Sequence, residues 1–179
     1  MKRIVVNDTN VFIDLLDASL LDEFFRLPWE IHTTDFVMLE LLREGQKATV
    51  SHYEREGLLQ IDSFEFQEVL EVTSLQKSLE SKTNLSLTDC SVWHYAKKND
   101  CILLTGDRKL RSSALRDGVE VRGILFVFDS LVCENVISKE LATEKLTILK
   151  EHNIRLPHDE IEKRLNLWSA EQNKEGGSL

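Results

Sequence analysis

The chain opens with a short apolar strand that runs straight into a polar cluster. Residues 4–6 are Ile-Val-Val, residues 7–10 are Asn-Asp-Thr-Asn, and a second apolar segment begins at Val11. A short continuous apolar run of this kind is typical of a buried strand in a parallel sheet. In open α/β sheets, ligands bind outside the carboxyl ends of such strands, so Asp8 falls where this fold class builds active sites. A role as N-cap of the following helix explains Asp8 equally well.

The same pattern recurs near the middle of the chain. Residues 101–105 (Cys-Ile-Leu-Leu-Thr) predict a second buried strand, and Gly106 and Asp107 follow it directly. The first strand is predicted near residues 3–7, and further short strands near residues 30–33, 58–61 and 119–122, with helical segments between them. This alternation predicts an α/β protein of three layers, in which helices cover a central, mostly parallel sheet.

The segment after Gly123 predicts helices only. They are expected at residues 124–134, 139–152 and 157–168, with Ser138 as an N-cap and Pro157 as the first residue of the last helix. No repeat, low-complexity segment or linker divides the chain. We therefore expect a core at 1–123, a helical C-terminal extension at 124–168 packed on the same domain, and a flexible tail at 169–179.

The composition of the chain limits the classes of protein to which it can belong. The chain has 179 residues, enough for one domain with a sizeable core. Its formal net charge of −9 argues against a uniformly basic surface for nonspecific nucleic-acid binding. No apolar run approaches the roughly 20 residues that a membrane span needs. The 3 cysteines form no C-x-x-C pair, which is typical of reduced thiols. We expect a cytoplasmic protein.

A third acid interrupts an apolar helix. Thr34 is a predicted N-cap for a helix over residues 35–44 that Gly45 ends. Within it, Glu40 is the only charge among residues 36–42. A helix that is apolar all round is buried, and a buried carboxylate needs a partner. We therefore expect Glu40 to be buried against a cation, a metal ion or a proton, of which a salt bridge is the plainest explanation.

A fourth acid opens a helix. Ser86 and Asp89 match a capping box at the start of a helical segment that runs to Lys98. Capping alone would explain Asp89. Each of the four acids can be explained by a local structural role of this kind, but a common functional site explains all four together.

Carboxylates gathered at one edge of a sheet carry an electrostatic cost. Two charges about 4 Å apart interact by roughly 4 kcal/mol at an effective dielectric constant of about 20. Such a cluster persists only if it is protonated or holds a hard cation. Ligation by oxygen alone, without His or Cys, selects Mg²⁺ or Mn²⁺ over zinc. The acids therefore predict a magnesium or manganese site.

The acids and their flanking residues resemble the motifs of the PIN-domain nucleases. The matching segments are Val-Val-Asn-Asp8-Thr-Asn-Val, Val-Met-Leu-Glu40-Leu, Leu-Ser-Leu-Thr-Asp89 and Leu-Leu-Thr105-Gly-Asp107-Arg-Lys-Leu. The resemblance covers about residues 3–123 and keeps the order of all four acids. It implies a doubly wound sheet and Mg²⁺- or Mn²⁺-dependent hydrolysis of RNA phosphodiester bonds.

The resemblance also implies a role for each matched residue. The predicted catalytic set is Asp8, Glu40, Asp89 and Asp107. Of these, the three aspartates would bind metal, and Glu40 would hold a water on the metal or a second ion. Asn10 and Thr105 match polar positions that shape the floor of the pocket. The chemistry is consistent, because a metal-activated water needs no side-chain nucleophile.

Partners follow from the resemblance as well. The substrate would be RNA, contacted by cations on the helix after Asp107, which are Arg108, Lys109, Arg111 and Arg116. A solvated helix face explains these cations equally well. Many family members are toxins of toxin–antitoxin pairs, which implies an antitoxin-like protein partner and a homodimer. The helices beyond residue 123 argue against a small toxin but not against a nuclease.

Three other readings compete with a PIN nuclease. A haloacid-dehalogenase-type phosphatase needs a second acid two residues after Asp8, where this chain has Asn10. A receiver domain needs an acid pair after the first strand and a late lysine, and neither stands out. The non-enzyme alternative is a catalytically silent PIN-like scaffold that binds RNA or protein. A missing acid would favour the scaffold, and no acid is missing.

Overall fold

The computed structural model describes residues 3–41, 44–79 and 83–175. The chain divides into two compact units. The first unit consists of residues 1–13 and 28–123, and the second of residues 14–27 and 124–179. The second unit therefore includes residues 14–27, a segment that the sequence analysis assigned to the core.

The elements alternate as the apolar patterning predicts. The strands are β1 (Arg3–Asn7), β2 (Trp29–Thr34), β3 (Leu59–Asp62), β4 (Ile102–Leu104) and β5 (Val121–Arg122). The helices are α1 (Thr9–Asp17), α2 (Leu21–Phe24), α3 (Asp35–Glu40), α4 (Glu44–Arg55), α5 (Phe66–Leu79), α6 (Leu87–Lys98), α7 (Arg108–Arg116), α8 (Ile124–Cys133), α9 (Lys139–His152) and α10 (His158–Glu175).

All five strands form one parallel sheet in the first unit, in the order β3-β2-β1-β4-β5. The chain moves outward from β1 through β2 to β3, then returns to the other side of β1 for β4 and β5. Right-handed crossovers in opposite directions place the connecting helices on opposite faces. The predicted α/β fold with a central parallel sheet is confirmed. The order reverses between β1 and β4, and this reversal marks the switch point of the sheet.

The two central strands form the centre of the core. Val5, Val6, Leu103 and Leu104 are all fully buried. A parallel strand covered on both faces needs a continuous apolar run rather than an alternating one, and residues 4–6 and 102–104 supply it. Helix α6 packs against this centre, in contact with β1, β2 and β4.

The helix that carries Glu40 is shorter than predicted. Thr34 caps α3 as expected, and its side chain accepts a hydrogen bond from the Val37 amide. The helix then ends at Glu40, residues 42 and 43 lie outside the described residues, and Gly45 lies inside α4 instead of ending α3. Glu40 is exposed, so the prediction that it is buried is wrong. A helix of six residues is too short to be apolar all round, and the last residues of α3 face solvent, with Leu39 70% exposed.

The second unit is helical in its described part, with α2, α8, α9 and α10. Ser138 caps α9 as predicted, accepting a hydrogen bond from the Leu141 amide at 3.2 Å. Helix α10 continues to Glu175, past Trp168, where the sequence predicts the last helix to end. None of the helices within the described ranges is long and apolar enough to cross a membrane.

Candidate active site

The carboxyl ends of β1, β4 and β5 meet at one edge of the sheet. Asn7 is in register with Leu104, and the next amide, that of Asp8, donates to the Leu104 carbonyl at 3.0 Å. On the other side of β4, the Thr105 amide donates to the Arg122 carbonyl at 3.0 Å. Asp8 and Thr105 therefore leave their strands side by side at the switch point, where ligands of doubly wound sheets bind.

Thr105 connects two of the predicted acids. It is fully buried, and its Oγ1 donates to Asp8 Oδ2 at 2.7 Å. The same oxygen accepts a hydrogen bond from the Asp107 amide at 3.0 Å. One hydroxyl thus orients the Asp8 carboxylate and fixes the start of the turn that carries Asp107.

Asp8 is a buried carboxylate whose charge is only partly balanced. It is 1% exposed, and Asn10 Nδ2 donates to its Oδ2 at 3.2 Å. Burial, opposed chiefly by the hydrogen bond from Thr105, raises the pKa of Asp8 to about 6, and the charge of Asp89 acts in the same direction. A nearby cation would relieve this excess of negative charge.

Asp89 makes the predicted capping box and also faces the other acids. Its Oδ2 accepts hydrogen bonds from the Ser86 amide at 2.8 Å and the Ser86 hydroxyl at 2.9 Å. Burial raises the pKa of Asp89 despite these bonds, and the charges of Asp107 and Glu40 raise it further. Among the hydrogen bonds of the described residues, Asp89 Oδ1 takes no part. Capping therefore uses one oxygen and leaves the other for a ligand.

Asp107 likewise uses one carboxylate oxygen for helix capping. It is the N-cap of α7, and its Oδ1 accepts a hydrogen bond from the Leu110 amide at 2.7 Å. Its Oδ2 makes no hydrogen bond within the described part of the chain. Asp107 is thus a helix cap, and the second oxygen of its half-buried carboxylate remains free to bind a ligand.

Glu40 reaches the same group from α3, although it is exposed. Its Oε2 accepts a hydrogen bond of 2.6 Å from Thr9 Oγ1, and Thr9 follows Asp8 directly. Sequence reasoning missed Thr9, although a hydroxyl residue immediately after a strand-end acid was a usable signal. We call the four carboxylates the acidic edge; its members are Asp8, Glu40, Asp89 and Asp107.

The remaining predicted site residues lie close by. Asn10 packs against Gly106, where a Cβ would be 3.7 Å from the Asn10 Cβ, so the turn after β4 touches the turn after β1. Arg108 is the first residue of α7 and is exposed, next to Asp107. It makes no ion pair within the described residues.

The donor chemistry of the acidic edge fits a hard divalent cation. All the candidate donors are oxygens, and at least two carboxylates keep an oxygen free of internal hydrogen bonds. Within residues 3–41, 44–79 and 83–175, no three His, Cys, Asp or Glu side chains are arranged as a ready-made metal cage. Mg²⁺ usually binds through one or two carboxylates, with waters and substrate phosphates completing its shell. The residues present fit that mode of binding.

The family follows from a comparison with protein-family models. A model described as a PIN domain (DUF3368) matches residues 4–170. The chain belongs to the PIN-domain family. The resemblance that the acidic motifs predicted is confirmed, and the match extends through the helices after Gly123. PIN domains are usually nucleases, which supports the broad class of the predicted activity.

Solved structures resemble this PIN domain at low sequence identity. VapBC2 from Rickettsia felis, bound to a DNA fragment from its promoter, is 16% identical and covers 67% of this chain and 98% of its own, with a TM-score of 0.49. FitAcB from Neisseria gonorrhoeae is 21% identical and covers 65% of this chain and 95% of its own, with a TM-score of 0.42. A search of curated proteins found no match.

Proposed function

We propose that this PIN domain is a Mg²⁺- or Mn²⁺-dependent endoribonuclease that hydrolyses RNA phosphodiester bonds. The observation that supports it is the acidic edge, where Thr105 bonds to the Asp8 carboxylate and the Asp107 amide. Burial and then the charge of Asp89 raise the pKa of Asp8, and burial and then the charges of Asp107 and Glu40 raise the pKa of Asp89. A polyanion such as RNA can approach this much negative charge only together with cations. A divalent cation is therefore the natural link between the site and the substrate.

Each side chain has a defined role in this proposal. Asp8, Asp89 and Asp107 would hold the metal, one or two of them directly and the rest through its waters, and Glu40 would orient water or a second ion. Thr105 and Asn10 hold the Asp8 carboxylate through its Oδ2, and the exposed Arg108 contacts an RNA phosphate. The cation supplies Lewis acidity toward the phosphodiester and lowers the pKa of a water, so no side-chain nucleophile is required.

RNA cleavage by the purified chain tests the proposal. With Mg²⁺ or Mn²⁺, the protein should cut single-stranded RNA at internal positions, and EDTA should abolish cutting. Cleavage that survives complete removal of metal would contradict the mechanism. The absence of cleavage on every RNA tested with metal present would instead favour the RNA- or protein-binding scaffold.

A matched pair of variants locates the chemistry. Asp14 resembles Asp8 in residue type and burial, and burial raises the pKa of Asp14 to about 6 as well. Its Oδ1 accepts a hydrogen bond from Asn153 at 2.8 Å, away from the acidic edge in sequence. Asp8→Asn should lose at least about a hundredfold of the cleavage rate, since even second-shell changes cost 10–100-fold, whereas Asp14→Asn should cut like the parent. Equal losses in the two variants would mean that general destabilisation, not metal binding, explains the effect.

The antitoxin-like partner and the homodimer stay predictions of the sequence. The reading frame beside the gene checks the first, because a small antitoxin-like protein should be encoded there. Analytical ultracentrifugation of the purified chain checks the second.

A further inference from the structure

Arg111 is a half-buried cation without a carboxylate partner among the described residues. It lies one helical turn after Asp107 on α7, and its Nη1 donates to the Val121 carbonyl at 3.5 Å, the outer limit of a hydrogen bond. Among the residues that the structure describes, it makes no ion pair. Burial, and then repulsion by Arg122, lower the pKa of Arg111. Within the described chain, Arg111 is thus desolvated without compensation.

Arg164 shows how the same chain treats a half-buried arginine with a structural role. Its Nε and Nη2 donate to the two oxygens of Asp129 at 2.8 and 2.7 Å. The hydrogen bond to Asp129 raises the pKa of Arg164. This fork-to-fork pairing satisfies the planar guanidinium. Arg111 presents the same fork, and no described carboxylate accepts from it.

The Arg111 guanidinium lies near the acidic edge. A Cβ on Gly123 would be 2.9 Å from Arg111 Nη2 and 3.5 Å from the Thr105 carbonyl oxygen. Thr105 is the residue whose hydroxyl orients Asp8. A side chain at 123 would have to displace the guanidinium, so glycine at this position leaves Arg111 the space that it occupies beside the strand that carries the site.

We propose that Arg111 binds a phosphate of the RNA backbone next to the phosphate that is cut, and that Gly123 keeps its guanidinium in position. The identity of the substrate in this inference rests on the proposed function. Two phosphate oxygens match the guanidinium fork in the way that Asp129 matches Arg164. Contact with the backbone carries no sequence information, so the effect should be independent of the bases. Arg122, paired with Glu120, adds positive charge beside Arg111 that an anion would offset.

Binding of a labelled single-stranded RNA with a cleavage-resistant backbone, measured with Mg²⁺ present by fluorescence anisotropy, tests the inference without cleavage. Arg111→Gln should weaken binding about tenfold, the usual scale for a charged hydrogen-bonded contact. The slope of log affinity against log salt concentration should become shallower by about 0.7, the value for one phosphate contact on a single strand. The matched control is Arg55→Gln, which removes the same charge from helix α4. Arg55 is exposed and bonds to the Ser51 carbonyl of its own helix, so its loss should change affinity less than about twofold.

Two further readouts separate phosphate binding from a structural role. Without RNA, Arg111→Gln should melt at the parent temperature or above it, because it removes a half-buried cation that has no counter-charge. Gly123→Ala keeps every charge but displaces the guanidinium, so it should weaken RNA binding in the same direction. A lowered melting temperature for Arg111→Gln, or parent-like binding by Gly123→Ala, would overturn the inference.

The outcomes distinguish this inference from the proposed function. Equal losses for Arg111→Gln and Arg55→Gln, or a parent protein that does not bind the cleavage-resistant RNA with Mg²⁺ present, would overturn the Arg111 contact. A protein that shows the expected differences in binding yet cuts no RNA with Mg²⁺ or Mn²⁺ would overturn the nuclease and leave the contact standing. If the protein cuts RNA but Arg111→Gln binds RNA as tightly as the parent, the proposed nuclease stands and the Arg111 contact is overturned.

Discussion

Two groups of charged side chains in the first unit are balanced in opposite ways. The acidic edge lies at the carboxyl ends of β1 and β4 and on the first turns or ends of the helices beside them. Burial and then the charge of Asp89 raise the pKa of Asp8, burial and then the charges of Asp107 and Glu40 raise the pKa of Asp89, and none of the four carboxylates has an ion pair in the described chain. The second group, which we call the His32 cluster, consists of Glu30, His32, Asp62 and Tyr95.

The His32 cluster contains a basic side chain of its own. His32 is 5% exposed in β2, with Nδ1 2.7 Å from Asp62 Oδ2 and Nε2 3.2 Å from Glu30 Oε1. The imidazole thus places one ring nitrogen against each of the two carboxylates. The Tyr95 hydroxyl lies 2.8 Å from Nδ1 and ties α6 to the sheet.

The two groups differ in the partners of their carboxylates. Glu30 and Asp62 each lie against a basic ring nitrogen of His32. At the acidic edge, the compensations within the described residues are hydroxyl, amide and backbone hydrogen bonds, which reduce the cost of the charge without neutralising it. The missing charge is the reason to expect a bound metal there and not at the His32 cluster.

The largest expected effect is stabilisation by metal. At a hundredfold excess over its dissociation constant, Mg²⁺ should stabilise the parent by ~2.7 kcal/mol. Asp107→Asn should lose most of that gain. In EDTA the variant should be at least as stable as the parent, since asparagine still caps α7 through the Leu110 amide and one repelling charge is gone. Thermal melts of both proteins, in EDTA and in Mg²⁺, measure this. If millimolar Mg²⁺ and Mn²⁺ leave the melting temperature of the parent unchanged, the distinction between the two groups fails.

Removal of the His32 imidazole should have the next largest effect. His32→Gln breaks the contacts of Nδ1 with Asp62 and of Nε2 with Glu30, so the free energy of unfolding should fall by about 1–3 kcal/mol. Mg²⁺ should not restore the loss, because the defect lies away from the acidic edge. Urea titrations with and without Mg²⁺ measure it, with His52→Gln on the exposed face of α4 as the control. Full rescue by Mg²⁺ would show that both groups respond to the same cation.

The smallest expected effect is a dependence of stability on pH in the absence of metal. Since burial raises the pKa of Asp8 from 3.8 to about 6, the folded state binds this proton more tightly than the unfolded state. Stability should therefore rise as pH falls from 7 to 5, by about 1 kcal/mol for this one group. Asp8→Asn should lose that increment, and so should Asp14→Asn, whose acid has the same raised pKa. Urea unfolding at pH 5, 6 and 7 in EDTA gives the slope of stability against pH for the parent, Asp8→Asn and Asp14→Asn. An unchanged slope in Asp8→Asn would mean that its charge is balanced after all.

Local sequence was sufficient for much of the fold and for the family. The apolar runs at 4–6 and 102–104 predicted the central strands, and the order of the acidic motifs predicted the family. The caps at Thr34, Ser86 and Ser138 were predicted correctly because capping depends on residues three positions apart. The burial of Glu40 was predicted wrongly from its six apolar neighbours in residues 36–42. Helix α3 ends at Glu40, and a local pattern does not reveal where a short helix ends.

The sequence by itself determined which residues have acidic and hydroxyl side chains and at which strand ends they stand, because periodicity and turn chemistry are local properties. Tertiary structure alone decided how those groups are partnered. The bond from Thr105 to Asp8 spans 97 positions and that from Thr9 to Glu40 spans 31. No local pattern distinguishes Arg111, which has no carboxylate, from Arg164, which binds Asp129 through both oxygens. Charge balance depends on distance in space, and burial strengthens it, so it becomes visible only when the strands are side by side.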